Sequence, residues 1–259
     1  MTDQHDTPGV SSSTAASSSH SSPPAARPVA LITGAGSGIG REVAVRLAGE
    51  GYRLALVGRR EGPLRETAAM AGAGDDGALV LAADVADAER VRAAVDAAVE
   101  RFGRLDVLVN NAGYAPLLPI ERTTPGVIEA AYRVNALAPA HAIARAWPVF
   151  LRQGSGCIVN ISTMGTDDPF EGFFAYAASK AAVNLMAKSC AKEGKRHGIR
   201  AFAVAPAAVE TAMLRGLFPP EVIPPEACLS PGDVAAVVVD CILGRRDEDN
   251  GRTIFLASP

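Results

Sequence analysis

Short runs of apolar residues recur along the chain, separated by longer stretches in which apolar positions return at intervals of three and four. The runs VALIT (29–33), RLALV (53–57), ALVLA (78–82), DVLVN (106–110), CIVNIS (157–162), IRAFAVA (199–205) and TIFLA (253–257) predict seven strands. Their hydrophobicity is continuous rather than alternating, which is what parallel strands covered on both faces require. Val91, Val95, Ala98 and Phe102 predict a helix behind a cap at Asp87, and Ser230-Pro231-Gly232-Asp233 opens another with a capping box and a proline at its first position. Strand and helix in repeated alternation define a doubly wound α/β sheet, with right-handed crossovers and ligands at the carboxyl ends of the strands.

The pattern is absent from residues 1–28. They are Ser-rich, carry prolines, lack aromatics and show no apolar periodicity, so they are expected to form a disordered tail ahead of one domain at 29–259. The tail has no apolar core of a signal peptide, and no later run approaches the roughly 20 residues of a membrane span. With 259 residues, 48% hydrophobic, and a net charge of -3, the bulk composition points to neither a nucleic-acid nor an anionic-membrane partner. Cys157, Cys190, Cys228 and Cys241 form no C-x-x-C pair, and His5, His20, His141 and His197 make no ligand spacing. We therefore expect a cytoplasmic protein with neither a disulfide framework nor a metal.

Chemistry enters at the end of the first strand, with Thr33-Gly34-Ala35-Gly36-Ser37-Gly38-Ile39-Gly40 followed by the helical REVAVRLAGEG. A Gly-rich turn between a strand and a helix lets backbone N–H groups approach a pyrophosphate, while the helix N-terminus supplies positive potential. The alternative is an ordinary tight turn. Further on, Tyr176 and Lys180 stand four apart on one helical face, where an ammonium can bias a phenol towards its ionised form. A phenol so tuned can exchange a proton with a carbonyl or alcohol oxygen, the partner step that hydride transfer needs.

In this order the landmarks resemble those of the classical short-chain dehydrogenase/reductases: T-G-x-x-x-G-I-G, Asp84-Val85 after the third strand, Asn110-Asn111-Ala112-Gly113 after the fourth, Asn135, and Tyr-x-x-x-Lys at 176–180. The resemblance spans residues 28–257. It implies a single Rossmann-type domain with a seven-stranded parallel sheet in the order 3-2-1-4-5-6-7. Asp84 and Val85 would contact adenine, and Asn111, Ala112 and Gly113 would line the cofactor cleft, although Asn111 also reads as a structural turn residue. Tyr176 would be the acid/base, Lys180 its tuner and a ribose ligand, and Asn135 the anchor of a water linking Lys180 to solvent. Pro139 has no N–H to donate to the Asn135 carbonyl if a helix runs through, so Pro139 is expected to fix that water. Pro206, Val209 and Thr211 match the segment that meets the nicotinamide carboxamide, with Ala207 where glycine is usual. The Pro-rich stretch near 212–229 falls where the family builds a substrate lid, and Leu214, Leu217 and Phe218 would give it an apolar wall or simply pack the loop.

Cofactor choice rests on the second strand. An acidic residue at its end would accept from a ribose 2′-OH; here stand Gly58, Arg59 and Arg60, a guanidinium fork suited to a 2′-phosphate. The residues therefore favour NADP(H) over NAD(H), against which stand Ser37, where a basic residue is common, and a plainly solvated basic turn.

For the catalytic hydroxyl, Thr163 has the family's spacing of thirteen before the Tyr and its strand register, while Ser162 has the usual residue type. Strand alternation admits one of the two, and the spacing favours Thr163. Asp167, Asp168 and Phe170 could face substrate or form a solvated turn. The leading expectation is an NADP(H)-dependent oxidoreductase acting on a ketone, aldehyde or secondary alcohol, assembled as a homodimer or tetramer through the helices of Asn135 and Tyr176. A non-turning dinucleotide sensor of the same fold is the alternative, weakened by the intact relay. An epimerase or dehydratase would call for a larger substrate domain than the short C-terminal section offers.

Overall fold

The computed structural model describes residues 1–3 and 27–259; the expected tail falls almost wholly on residues 4–26, outside the described residues. Seven strands form one sheet: β1 (Val29–Thr33), β2 (Arg53–Gly58), β3 (Ala78–Ala82), β4 (Val107–Asn110), β5 (Gly156–Ile161), β6 (Ile199–Pro206) and β7 (Thr253–Leu256). Every pairing is parallel and the order is 3-2-1-4-5-6-7, as expected. Where strand ends differ from the expected ones they differ by one residue: Asp106, Ser162 and Ala257 lie just outside β4, β5 and β7, and Gly58, Gly156 and Pro206 just inside β2, β5 and β6.

The reason the strands read as continuous apolar runs is visible strand by strand. Val29 and Leu31 of β1 enter one core while Ala30 and Ile32 enter the other, and the same split separates Ala55 and Val57 from Leu54 and Leu56 in β2. The first core is closed by α3 (Ala88–Phe102), α5 (Ala138–Gln153) and α6 (Phe174–Gly194), the second by α1 (Gly38–Gly49), α2 (Glu61–Met70) and α8 (Pro231–Ile242). Each fully buried Leu or Phe, such as Leu31, Leu47, Leu108, Phe150 and Phe202, contributes about 1.5–3 kcal/mol relative to exposure.

The caps fall where the residues place them. Asp87 accepts from the N–H groups of Glu89 and Arg90 at the start of α3, and Ser230 and Asp233 close a reciprocal capping box on α8.

One local expectation is corrected. The helix does not run regularly through Asn135: α4 (Pro125–Tyr132) gives way to a wide π turn over Arg133–Leu137 before α5, and Ala138 N–H donates back to the Arg133 carbonyl. Pro139 supplies the reason, because it has no N–H with which to close a regular turn on Asn135.

β1 leads to β2 on one side, and β4 leads to β5 on the other. The carboxyl ends of the adjacent β1 and β4 therefore flank a topological switch point, where an open parallel sheet leaves a crevice. The residues that follow these two strands, Gly34 and Asn111, both line it.

Candidate active site

The crevice is a cleft of about 890 Å³. Its first end is built on the turn between β1 and α1. Gly34 has a φ of +67°, and a Cβ on Gly40 would stand 2.5 Å from both the Gly34 carbonyl oxygen and the Asn111 amide nitrogen. Any side chain at Gly40 would therefore push the turn away from β4. The turn is tied down by polar groups: Asn111 Nδ2 donates to the carbonyls of Thr33 (2.9 Å) and Gly34 (3.2 Å), and Thr33 Oγ1 accepts from the N–H groups of Asn111 and Ala112. Arg41 adds a 2.6 Å bond to the Gly36 carbonyl, and Thr67 Oγ1 donates to the Ala35 carbonyl at 2.9 Å.

Ser37, Gly38 and Ile39 line the cleft, where α1 begins with neither a capping side chain nor an acidic residue in its first turn. Uncapped N–H groups and a positive helix end with no competing carboxylate suit an anionic pyrophosphate. Gly36 and Gly40 do not line the cleft; Gly36 packs on Pro63, and Gly40 on the turn itself. Arg59 lines the mouth beside Gly58, Asp84 and Val85, whereas Arg60 sits outside it, at the start of α2, so the expected two-arginine fork reduces to one guanidinium. Asp84 spends a carboxylate oxygen on the Ala86 N–H, 3.0 Å away. These residues fit a dinucleotide: Ser37, Gly38 and Ile39 would meet its phosphates and Arg59 would stand near its adenosine side.

The other end is set by β5 and α6. Lys180 is buried and its Nζ donates to the Ile161 carbonyl at 2.6 Å. The Thr163 hydroxyl favours the ionised form of the Tyr176 phenol, and its Oγ1 accepts from Gly165 N–H at 3.3 Å. Ser162 Oγ instead reaches back to the Lys180 carbonyl, 3.5 Å away, so the two neighbouring hydroxyls serve different partners. Both still line the cleft.

The ammonium is expected to bias the phenol towards its ionised form; burial sets the opposite direction. Burial pushes the Tyr176 phenol up to about 12, with the Thr163 hydroxyl pulling the other way, and burial pushes Lys180 down to about 8. Low-dielectric surroundings penalise both charged forms at once, which leaves the phenol protonated and ready to donate.

Asn135 lies beneath the cleft rather than in its wall. Its Nδ2 donates to the Tyr114 carbonyl (2.8 Å) and to Ser179 Oγ (2.9 Å), and its Oδ1 accepts from Tyr114 N–H (2.9 Å). Ser179 Oγ in turn donates to the Tyr176 carbonyl at 2.7 Å. The side chain of Asn135 thus positions the Tyr176 turn of α6 and the segment after β4. A link to solvent would have to use its backbone carbonyl.

Pro206, Val209 and Thr211 line the cleft, as do Leu214, Leu217 and Phe218. Asp167 and Asp168 do not, and they remain exposed; of that loop Phe170 and Glu171 do the lining.

Sequence reasoning missed Ser179 and Phe173. Ser179 carried a signal, one residue before Lys180 on a buried helix face. Phe173 sits 5.4 Å from the Tyr176 ring and 6.2 Å from the Phe218 ring, centroid to centroid; only the fold brings Phe218 to it.

The comparisons agree with this arrangement. The family model for short chain dehydrogenase matches residues 28–221. Levodione reductase of Leifsonia aquatica is 38% identical over 189 residues, 72% of this chain and 71% of that protein. A 3-oxoacyl-[acyl-carrier-protein] reductase of Staphylococcus aureus is 37% identical over 190 residues, 73% and 77% of the two chains. Among solved structures, 3-ketoacyl-(acyl-carrier-protein) reductase from Brucella melitensis, complexed with NADH, superposes with a TM-score of 0.82 at 30% identity, covering 89% of this chain and 96% of that one.

The chain belongs to the short-chain dehydrogenase/reductase family. It is an NAD(P)-dependent oxidoreductase of C=O and CH–OH groups. Among the described residues no helix is long and apolar enough to cross a membrane.

Proposed function

We propose that the protein is an NADP(H)-preferring reductase of apolar ketones or aldehydes, also able to oxidise the matching secondary alcohols. The observation that carries this reading is the meeting of the Thr163 hydroxyl, the Tyr176 phenol and the buried Lys180 ammonium at one end of a cleft whose other end is the glycine turn.

A nicotinamide held in the cleft between the glycine turn and the Pro206–Thr211 segment would supply the hydride chemistry of the reaction. In reduction Tyr176 gives its proton to the carbonyl oxygen, a contribution of typically 10² to 10⁴ in rate. The Thr163 hydroxyl donates to the same oxygen as negative charge develops on it. Ser162 holds the backbone of α6 instead. Lys180 is the reservoir from which the phenol recovers its proton, and its anchorage on the Ile161 carbonyl fixes its reach.

Arg59 supports NADP(H): it is exposed at the mouth with no carboxylate partner among the described residues. Charge-assisted hydrogen bonds to a phosphate are worth about 1.5–3 kcal/mol each. The exposed apolar side chains Tyr132, Leu137, Phe174 and Leu185, on α4, the π turn and α6, support assembly into a dimer or tetramer through these elements, and a cytoplasmic location goes with the four unpaired cysteines.

Comparing kcat/KM for NADPH and NADH in the wild type and in Arg59→Ala tests the cofactor reading. Arg59→Ala should lower the NADPH value at least tenfold, roughly one charge-assisted hydrogen bond, and leave NADH nearly unchanged. A wild type that uses NADH as well as or better than NADPH would sink the preference.

A further inference from the structure

Residues 208–229 form a loop whose two ends meet. Glu210 N–H donates to the Leu229 carbonyl and Leu229 N–H to the Ala208 carbonyl, each at 2.9 Å, around a parallel bridge between Val209 and Leu229. A loop closed in this way is packed by its own side chains. Its helical pieces are α7 (Ala212–Arg215), four residues long, and a single 3-10 turn at Pro225–Ala227, both too short to hold shape alone.

The interior of the loop is occupied by Arg215. Its Nε donates to Glu210 Oε1 at 2.7 Å, and a second nitrogen donates to the other oxygen of that carboxylate. Its remaining reach goes to the carbonyls of Ile223 (2.7 Å) and Phe218 (3.3 Å), with Cys228 Sγ 3.7 Å away. One side chain therefore joins the start of the loop to three later points on it. Two of those points, Phe218 and Ile223, are residues whose side chains line the cleft, together with Met213, Leu214 and Leu217. Phe218 reaches the reacting end through Phe173, whose ring lies between it and Tyr176.

We infer that Arg215 is a positioning residue: it holds the loop in the shape that presents this apolar wall to the substrate, and so sets the preference for bulky apolar carbonyl compounds. Glu210 is the anchor, lying between Val209 and Thr211 on the cofactor side, so the same pair fixes the wall relative to the nicotinamide end. A lysine cannot replace the fork. Its compact ammonium meets the carboxylate or the carbonyls, not all of them together.

The inference rests on the proposed carbonyl reduction, and the experiment keeps the two separate. The full-length enzyme, Arg215→Met and Arg215→Lys are assayed with NADPH on a bulky apolar ketone, 2-tetralone, and on a small one, butane-2,3-dione. Cofactor-free protein is also exposed to a protease at limiting concentration. Arg215→Met should raise the KM for 2-tetralone by about tenfold or more, the loss of charge-assisted hydrogen bonds, with kcat and the KM for butane-2,3-dione little changed. Arg215→Lys should fall between, and the protease should cut Arg215→Met within 216–228 faster than the wild type.

An unchanged KM for 2-tetralone, an equal loss on both ketones, or equal cleavage rates would overturn the inference. If the wild type reduces neither ketone with NADPH, the proposed reduction of apolar ketones fails as the reading, and the cleavage rates still decide whether Arg215 holds the loop.

Discussion

The two ends of the cleft use polar side chains in opposite ways. At the glycine turn they are consumed by the protein's own backbone: Asn111 by Thr33 and Gly34, Arg41 by Gly36, and Thr67 by Ala35. What lines the cleft there includes Gly34 and Gly38 and a helix start without a side-chain cap. At the reacting end the side chains themselves face the cleft. Thr163, Tyr176 and Lys180 are held by few bonds, sit in surroundings that resist charge, and look onto an apolar wall. Binding a phosphate needs a rigid array of N–H groups, whereas moving a proton needs groups whose charge can change. The first is therefore sensitive to shape and the second to chemistry.

The largest effect that follows is chemical. Tyr176→Phe removes the proton donor while keeping the ring beside Phe173, so kcat should fall by about 10² to 10⁴ with cofactor affinity unchanged, as read from nicotinamide fluorescence. Turnover that survives at the wild-type rate would break the contrast, since the reacting end would then also be working by shape alone. Thr163→Val should cost about 10² in kcat, as removal of a donor to developing charge does. Ser162→Ala should cost much less, because that hydroxyl is spent on the Lys180 carbonyl. The reverse order would assign the reaction to Ser162.

Two glycines sharpen the comparison from the side of shape. A Cβ on Gly40 would stand 2.5 Å from backbone and from Asn111, whereas one on Gly113 would meet Asn135, Lys180 and Met213 at ordinary distances of 3.6–3.8 Å. Gly40→Ala should destabilise by about 1–3 kcal/mol and weaken cofactor binding. Gly113→Ala should leave the melting temperature almost unchanged and lower kcat/KM. Equal effects on melting would show that the two ends are not built differently.

Legibility in the sequence follows the same division. The sheet could be read because both its faces are buried, which writes itself as uninterrupted Val, Leu and Ile. The glycine turn could be read because backbone geometry restricts which residues fit. Tyr176 and Lys180 are linked by helical spacing, which needs no tertiary knowledge. What escaped depends on contacts between segments distant in sequence. Arg60 and Arg59 are indistinguishable until the start of α2 turns one away from the cleft. The side-chain partners of Asn135, Tyr114 and Ser179, could not be read from its helical stretch, because both come from segments brought to it only by the fold. The π turn at Arg133–Leu137 has a local cause in Pro139, and was still missed, because a missing donor predicts a broken ladder without saying how the chain repairs it.

The smallest effect concerns the lysine, and it follows from the direction of its shift. Lys180 is held near 8 in the folded protein against 10.5 ordinarily. Between those values the unfolded chain binds the proton and the folded chain does not, so stability rises with pH across that window. Below about 8 the cost of burying the ammonium is present in full. Tyr176 acts oppositely, but only above 10, where the unfolded phenol ionises and the folded one, near 12, does not. Lys180→Met has no ammonium to bury, so it should melt above the wild type at neutral pH, with the difference shrinking as pH rises from about 8 towards 10. At about 2–4 °C per kcal/mol for a domain of this size, the trend is within reach of a thermal-melt series. In catalysis the charge matters in the other sense: kcat/KM for reduction should fall as pH rises through about 8, as Lys180 loses its proton. A rate that is flat across that value, together with a melting difference that does not move, would mean the ammonium is not under the strain that burial imposes. The reacting end would then resemble the phosphate end, a scaffold rather than a set of groups poised to change charge.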